Sequence, residues 1–184
     1  MPFGTLSKVS VVGCSCSGKT TFSRRLATAL GQPRIELDAL YWKENWEPRT
    51  EAAFRENVAR AIEPPGWVVD GNDRTRLGGL VQREATAVIG LDYSFPRVFI
   101  RALRRTFRRV FTRQRLYAGN TESFVHAFLS RDSILWWVII TWRKNRTQLE
   151  ELQRCAAGGG PVFFVFRSPS EAETWLARVE AEGS

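Results

Sequence analysis

Lys8-Val9-Ser10-Val11-Val12-Gly13-Cys14-Ser15-Cys16-Ser17-Gly18-Lys19-Thr20-Thr21 is the stretch that decides the fold. A short β-branched run leads into G-x-x-x-x-G-K-T, and a helical pattern follows it. In that setting the motif predicts a phosphate-binding loop. Backbone N–H groups of Gly13, Cys14, Ser15, Cys16, Ser17 and Gly18 curl around phosphates. The helix starting near Lys19 turns its positive end toward them. Lys19 is placed to reach β- and γ-phosphates and the Thr20 hydroxyl to ligate Mg²⁺, with Thr21 also on the cofactor-binding stretch. ATP and Mg²⁺ are therefore the expected cofactors.

The chain has 184 residues, 43% of them apolar and 25% charged, which suits one globular domain spanning 1–184. Its first residues lack a charged segment followed by an apolar run, so a signal peptide is not expected. The longest apolar run, Ile134–Trp142, is too short to cross a bilayer and reads as a buried helix. Cys14 and Cys16 stand one residue apart inside the loop, where a mutual disulfide would destroy it, so a reduced cytoplasmic protein is expected. They read as small filler or as redox-active thiols. The net charge of +8 favours anionic partners. Arg97, Arg101, Arg104, Arg105, Arg108, Arg109, Arg113 and Arg115 crowd one segment. They suit either a triphosphate or a nucleic-acid face.

Periodicity predicts strands at Ser7–Val12, Arg34–Asp38, Trp67–Asp70, Ala87–Leu91 and Val162–Phe166. Asp38 is expected at the carboxyl end of the second strand and Asp70 at that of the third. Helices are expected after the loop, over Arg49–Ile62, Phe95–Phe111 and Glu122–Leu152 with a bend near Ser130, and from Pro169 onward. The last opens with Ser168 as N-cap, proline at N1 and Glu171 closing a capping box. Five apolar strands alternating with helices predict an α/β three-layer fold with a parallel sheet covered on both faces. Ligands of such sheets sit at the carboxyl ends of the strands.

Several further stretches now carry a resemblance: Glu36-Leu37-Asp38-Ala39-Leu40-Tyr41-Trp42, Trp67-Val68-Val69-Asp70-Gly71-Asn72, Ser130-Arg131-Asp132-Ser133-Ile134 and Arg167-Ser168-Pro169. With the phosphate loop, they make the chain similar to adenylate-kinase-like P-loop kinases. It resembles most the bacterial group called DNA topology modulation protein. The resemblance implies a small helical lid at roughly 106–130. Asp92, Arg101 and Arg105 fit that family's spacing after the fourth strand, which implies that Arg101 stacks on adenine and Arg105 touches the triphosphate. It also implies that Arg131 reaches the transferring phosphate, with Arg143 or Arg146 as a further arginine. Asp70 would hold Mg²⁺ through water, and Arg167, Ser168 and Pro169 would form the adenine-side loop. Relatives often carry glycine where Cys16 stands, because that position favours positive φ.

On the acceptor side, Asp38 is expected to take the acceptor hydroxyl's proton or to bind its hydroxyls, with helix capping as the other reading. Trp42, beside Tyr41 and Trp46, either stacks on a planar acceptor or packs in the core. Asp70, Asn72, Arg74 and Arg76 either anchor the acceptor or line a surface loop. His126 is the single histidine and reads as structural. The expected function is ATP-dependent phosphoryl transfer to a small acceptor such as a nucleotide, a nucleoside or another metabolite, by a monomer or homodimer. The alternative is an ATP-binding regulator associated with DNA through its arginine-rich face. Weak nucleic-acid binding is the expectation attached to the surplus arginines.

Overall fold

Alternation along the first strand sets the layers. β1 (Lys8–Gly13) sends Val9 and Val11 to one core cluster and Val12 to another. The computed structural model describes residues 6–72, 74–112, 134–156 and 158–182. In chain order, α1 (Lys19–Ala29) follows β1. β2 (Arg34–Glu36), α2 (Leu37–Tyr41), α3 (Glu51–Ala61) and β3 (Trp67–Asp70) come next. After them come α4 (Arg74–Leu77), α5 (Leu80–Glu84), β4 (Ala87–Leu91) and α6 (Phe95–Thr112). The chain continues through α7 (Ile134–Ala156), β5 (Val162–Phe166) and α8 (Pro169–Glu182).

The five strands form one parallel sheet in the order β2-β3-β1-β4-β5. Their carboxyl ends are level: Glu36 pairs with Asp70, Val11 with Asp70, Gly13 with Leu91, and Leu91 with Phe166. Val9, Val11, Val68 and Ile89 face α1, α6 and α8 through Phe22, Leu26, Val98, Ala102 and Leu176. Val12, Val69 and Val88 face α3, α4 and α5 through Phe54, Val58, Leu77 and Val81. α7 serves both faces, with Val138 in the first cluster and Leu149 in the second. Burying both faces is what makes these strands read as continuous apolar runs. Among the described residues, no helix is long and apolar enough to cross a membrane.

Departures from the sequence reading have local causes. The second strand stops at Glu36, short of Asp38. Leu37 turns inward, 1% exposed, against Gly71, where an added Cβ would lie 2.8 Å from the leucine side chain. Asp38 therefore stands exposed in the first turn of α2 rather than at a strand end. α3 starts at Glu51, because the Thr50 hydroxyl accepts from Ala53 N at 3.3 Å. α4 and α5 were not evident from periodicity. They are five residues or fewer, separated by Gly78 and Gly79 at φ +57 and +77°. The capping box holds: the Glu171 N–H donates to Ser168 Oγ at 3.3 Å, and its carboxylate accepts from Arg167 N–H at 2.9 Å. Arg131, Arg113, Arg115, His126 and the 113–130 part of the expected lid lie outside the described residues, as does the bend expected near Ser130.

α7 crosses the sheet over Gly90, where a Cβ would meet Leu149 Cδ1 at 2.5 Å. Gly90→Ala is expected to destabilise the protein by about 1–3 kcal/mol, the scale of overpacking a tight core. Leu149→Ala should remove most of that added cost when combined with it. Urea unfolding of the two single variants and the double variant checks the coupling, and strictly additive losses would contradict the contact.

Candidate active site

The loop after β1 takes its shape from three positive φ angles. Gly13 has φ +149°, and a Cβ there would strike Leu91 O at 2.7 Å. Gly18, at φ +102°, caps α1 without a side-chain bond. Cys16 has φ +66°, so the position at which glycine was expected does adopt the left-handed region. A side chain there costs on the order of 1–2 kcal/mol. Ser17 N–H closes the loop on Cys14 O at 3.1 Å, and Ser17 Oγ is buried without a hydrogen-bond partner. The first turn of α1 adds N–H groups that no helical carbonyl can reach. This concave array of donors fits an anion.

Lys19 folds back over the loop, donating from Nζ to Gly13 O at 2.8 Å and Cys14 O at 3.1 Å. Asn72 holds the same peptide from the other side. Its Oδ1 accepts from Gly13 N–H at 2.9 Å, and its Nδ2 donates to Gly13 O and, at 2.9 Å, to Asn145 Oδ1. The carboxamide of Asn72 is thus committed to the loop and to α7 rather than presented to an acceptor. Asn145 was not singled out from sequence, where the neighbouring arginines drew the reading. Its signal was its place one turn beyond Thr141, on the face of α7 that meets the loop. Burial pushes the Cys14 thiol up to about 11, against the pull of Lys19, so it stays protonated at neutral pH. Cys14 thus reads as filler, since reactive cysteines are thiolates.

Asp70 is 4% exposed, with Lys19 and Thr20 near enough to favour its ionised form. Burial raises its pKa, with Lys19 and Thr20 opposing, Glu36 adding to the rise and Arg34 opposing. Arg34 bridges Asp70 at 3.4 Å and Glu36 at 2.7 Å. A hydroxyl and a carboxylate near one another beside a lysine form an oxygen donor set suited to Mg²⁺. Thr20 and Asp70 are the residues that would hold it.

From the far side of the loop, Arg101 donates to Ser17 O at 2.7 Å and lies 5.5 Å over the Tyr93 ring. Arg105, one turn on, is half-buried, and its Nε has no hydrogen-bond partner among the described residues. Arg146 and Arg143 are both exposed, and Arg146 sits 3.7 Å from Asp92 at the carboxyl edge. Arg167 is exposed beside Pro169, and Ser168 serves the cap of α8.

The acceptor-side residues divide. Tyr41 packs on the core, edge-on to Phe54 at 5.2 Å, with the Arg76 guanidinium 4.4 Å over its ring. Trp42 and Trp46 belong to neither core cluster and meet edge-to-face at 5.6 Å. They sit on a turn in which Asn45 and Trp46 both have positive φ. Arg74 opens α4, on the segment leaving β3.

No protein-family model matches the chain, and no curated protein does. Solved structures do. Shikimate kinase from Acinetobacter baumannii, in complex with shikimate, is 16% identical with a TM-score of 0.58, covering 96% of this chain and 92% of its own. A gluconokinase from Sinorhizobium meliloti is 20% identical with a TM-score of 0.51, covering 97% and 95%. Deoxyadenosine kinase from M. mycoides is 14% identical with a TM-score of 0.54, covering 95% and 97%. The likeness establishes the P-loop kinase fold.

A raised native pKa at Asp70 has a definite sign. The native state holds the carboxylate less readily than the unfolded chain, so stability falls as pH rises from the unfolded value through the native one. Asp70→Asn is therefore expected to raise the Tm of the ligand-free protein at pH 7 and to do so less at pH 4. It should also abolish any tightening of ATP binding by Mg²⁺. Thermal melts across pH and titrations with and without Mg²⁺ check both. A lower Tm at pH 7 would mean that the Arg34 bridge outweighs burial.

Proposed function

We propose that the chain is an ATP-dependent phosphotransferase acting on a small acceptor hydroxyl. The observation that carries the reading is the meeting of Lys19, Thr20 and Asp70 at the level carboxyl ends of β1 and β3. Lys19 leaves the Gly13 and Cys14 carbonyls to pair with the β- and γ-phosphates. Thr20 and Asp70 hold Mg²⁺, which when bound would neutralise charge on the phosphate oxygens. The half-buried Arg105, with its Nε unpartnered, supplies a bidentate cation for the transferring group, and Arg131 a second. Arg101 lines the nucleotide side, where Arg167, Ser168 and Pro169 meet the base.

The acceptor enters beyond β2 and β3. Asp38, exposed on α2, accepts the hydroxyl proton as the oxygen attacks the γ-phosphorus and the bond to ADP breaks. Trp42 and Arg74 would bind the acceptor there. The solved kinases of this fold act on a sugar acid, a cyclic hydroxy acid and a deoxynucleoside by their names, which supports a small-metabolite acceptor.

A second reading rests on Arg97, Arg104 and Arg108, all exposed along α6. It is that of an ATP-binding regulator meeting DNA, as the resemblance to the topology modulation group suggests. Positive charge without fixed register gives duplex binding that weakens steeply with salt and is indifferent to the transfer site.

Lys19→Ala should weaken ATP–Mg²⁺ binding in calorimetry and remove transfer while the protein stays folded. Asp38→Asn should keep ATP affinity within about threefold, under ~1 kcal/mol. In a screen of nucleosides, nucleotides and sugar acids followed by ADP release, it should lose roughly 10²-fold in turnover. ATP affinity unchanged in Lys19→Ala would defeat the kinase reading. Near-normal turnover in Asp38→Asn would leave that residue a helix-end role only.

A further inference from the structure

We propose that Asn145 is a positioning residue for the phosphate loop, acting through Asn72 to hold the Gly13 peptide when Lys19 departs. The proposal rests on the triphosphate reading for the departure of Lys19, but not for the contact itself.

The argument begins with one carbonyl. Gly13 O accepts from Lys19 Nζ at 2.8 Å and from Asn72 Nδ2. A lysine that pairs with phosphate cannot keep its bonds to both Gly13 O and Cys14 O. Asn72 then remains as the Gly13 carbonyl's partner and also holds the Gly13 N–H. A primary amide has two N–H donors. Those of Asn72 go to Gly13 O and Asn145 Oδ1. Asn145 therefore fixes the last degree of freedom of the group that fixes the loop.

Asn145 is itself anchored. Its Nδ2 donates to Thr141 O at 3.0 Å. It lies on α7 between two points where that helix meets the sheet. One is Trp142, whose indole N–H donates to Tyr93 O at 3.2 Å. The other is Leu149 over Gly90. Asn72, Gln82, Asn145 and Gln148 share one small cleft at Gly13 with Leu149 and Leu152, and Gln82 Oε1 is buried with no hydrogen-bond partner among the described residues. The loop is thus backed by carboxamides set among the apolar side chains of Val12, Leu149 and Leu152. A carboxamide pair sets the orientation of a peptide, where hydrocarbon would only fill space.

The test compares Asn145→Ala, Asn145→Asp, Asn72→Ala and Leu149→Val with the wild-type chain. Three quantities are measured: Tm, the Kd for ATP–Mg²⁺, and hydrogen exchange of the Gly13 amide by NMR in the ligand-free protein. Asn145→Ala is expected to speed Gly13 exchange about tenfold and to weaken ATP about tenfold, a difference of ~1.4 kcal/mol. Asn145→Asp keeps an oxygen toward Asn72 Nδ2 and should stay within about threefold of wild type in both. Leu149→Val, on the same helix, should lower Tm while leaving both unchanged. The double variant Asn72→Ala/Asn145→Ala should be no worse than Asn72→Ala alone. Gly13 exchange unchanged in Asn145→Ala, losses matched by Leu149→Val, or additive losses in the double variant would each overturn the proposal. A wild-type chain that does not bind ATP would remove the triphosphate reading, while the Gly13 exchange rates still decide the coupling.

Discussion

Everything at the carboxyl edge depends on how the chain leaves β1. The strand is central, paired on both sides by β3 and β4, so its exit is confined between Leu91 and Ser17. Only a residue without a side chain passes there, and the turn that follows presents the Gly13 peptide edge-on. A peptide so exposed at the end of a buried strand needs partners for both its N–H and its C=O. Asn72 supplies both, from the loop that leaves the neighbouring strand β3. The parallel register makes this possible: Val11 pairs with Asp70, so Gly13 and Asn72 each stand two residues beyond a matched pair. Had the strands been antiparallel, the two loops would open at opposite ends of the sheet.

The same edge gathers groups that a stability-minded core would reject. Asp70 is buried with its ionised form disfavoured, and among the described residues Ser17 Oγ, Thr106 Oγ1 and Arg105 Nε are buried with no hydrogen-bond partner. Each such group costs on the order of 1–3 kcal/mol relative to a satisfied one. Three of the four lie on the loop and on α6, which face each other through the Arg101 bond to Ser17 O. Cys16 adds backbone strain at the centre of the same region. Ser17 Oγ on the loop is one that a bound anion's surroundings could relieve, whereas Ser10, Gln32 and Arg49 carry unpartnered atoms away from this edge.

The strand pattern was readable because both faces of the sheet are buried, so each strand appears as an unbroken apolar run bounded by turn residues. The phosphate loop was readable because its chemistry needs fixed residue types at fixed spacing. The end of β2 was not. Leu37 is apolar and continues the run, and only its fit against Gly71, a residue 34 positions away, turns the chain into α2 before Asp38. The Asn72–Asn145 pair was hidden for a related reason. Its two members are 73 positions apart, and an asparagine on a helix has no periodic signature. Trp42 was ambiguous in sequence because tryptophan suits core and ligand alike. Its absence from both core clusters is a fact of tertiary placement.

The arginines of α6 separate into two populations by burial, a distinction that spacing alone could suggest but not establish. Arg101 and Arg105 are half-buried, Arg101 with its guanidinium on the loop, while Arg97, Arg104 and Arg108 are exposed. A guanidinium held in place has lost its side-chain entropy already on folding, so it can meet a ligand without that cost and in one geometry. An exposed one retains its freedom and acts mainly as charge, screened within about 8–10 Å at physiological salt. The first kind suits a single triphosphate in a fixed pose, and the second any polyanion passing the helix. Both kinds lie on one helix because its buried stripe is narrow, made of Val98, Ala102 and Thr106. Small residues there let α6 lie close to the sheet, and that closeness brings Arg101 within reach of Ser17 O.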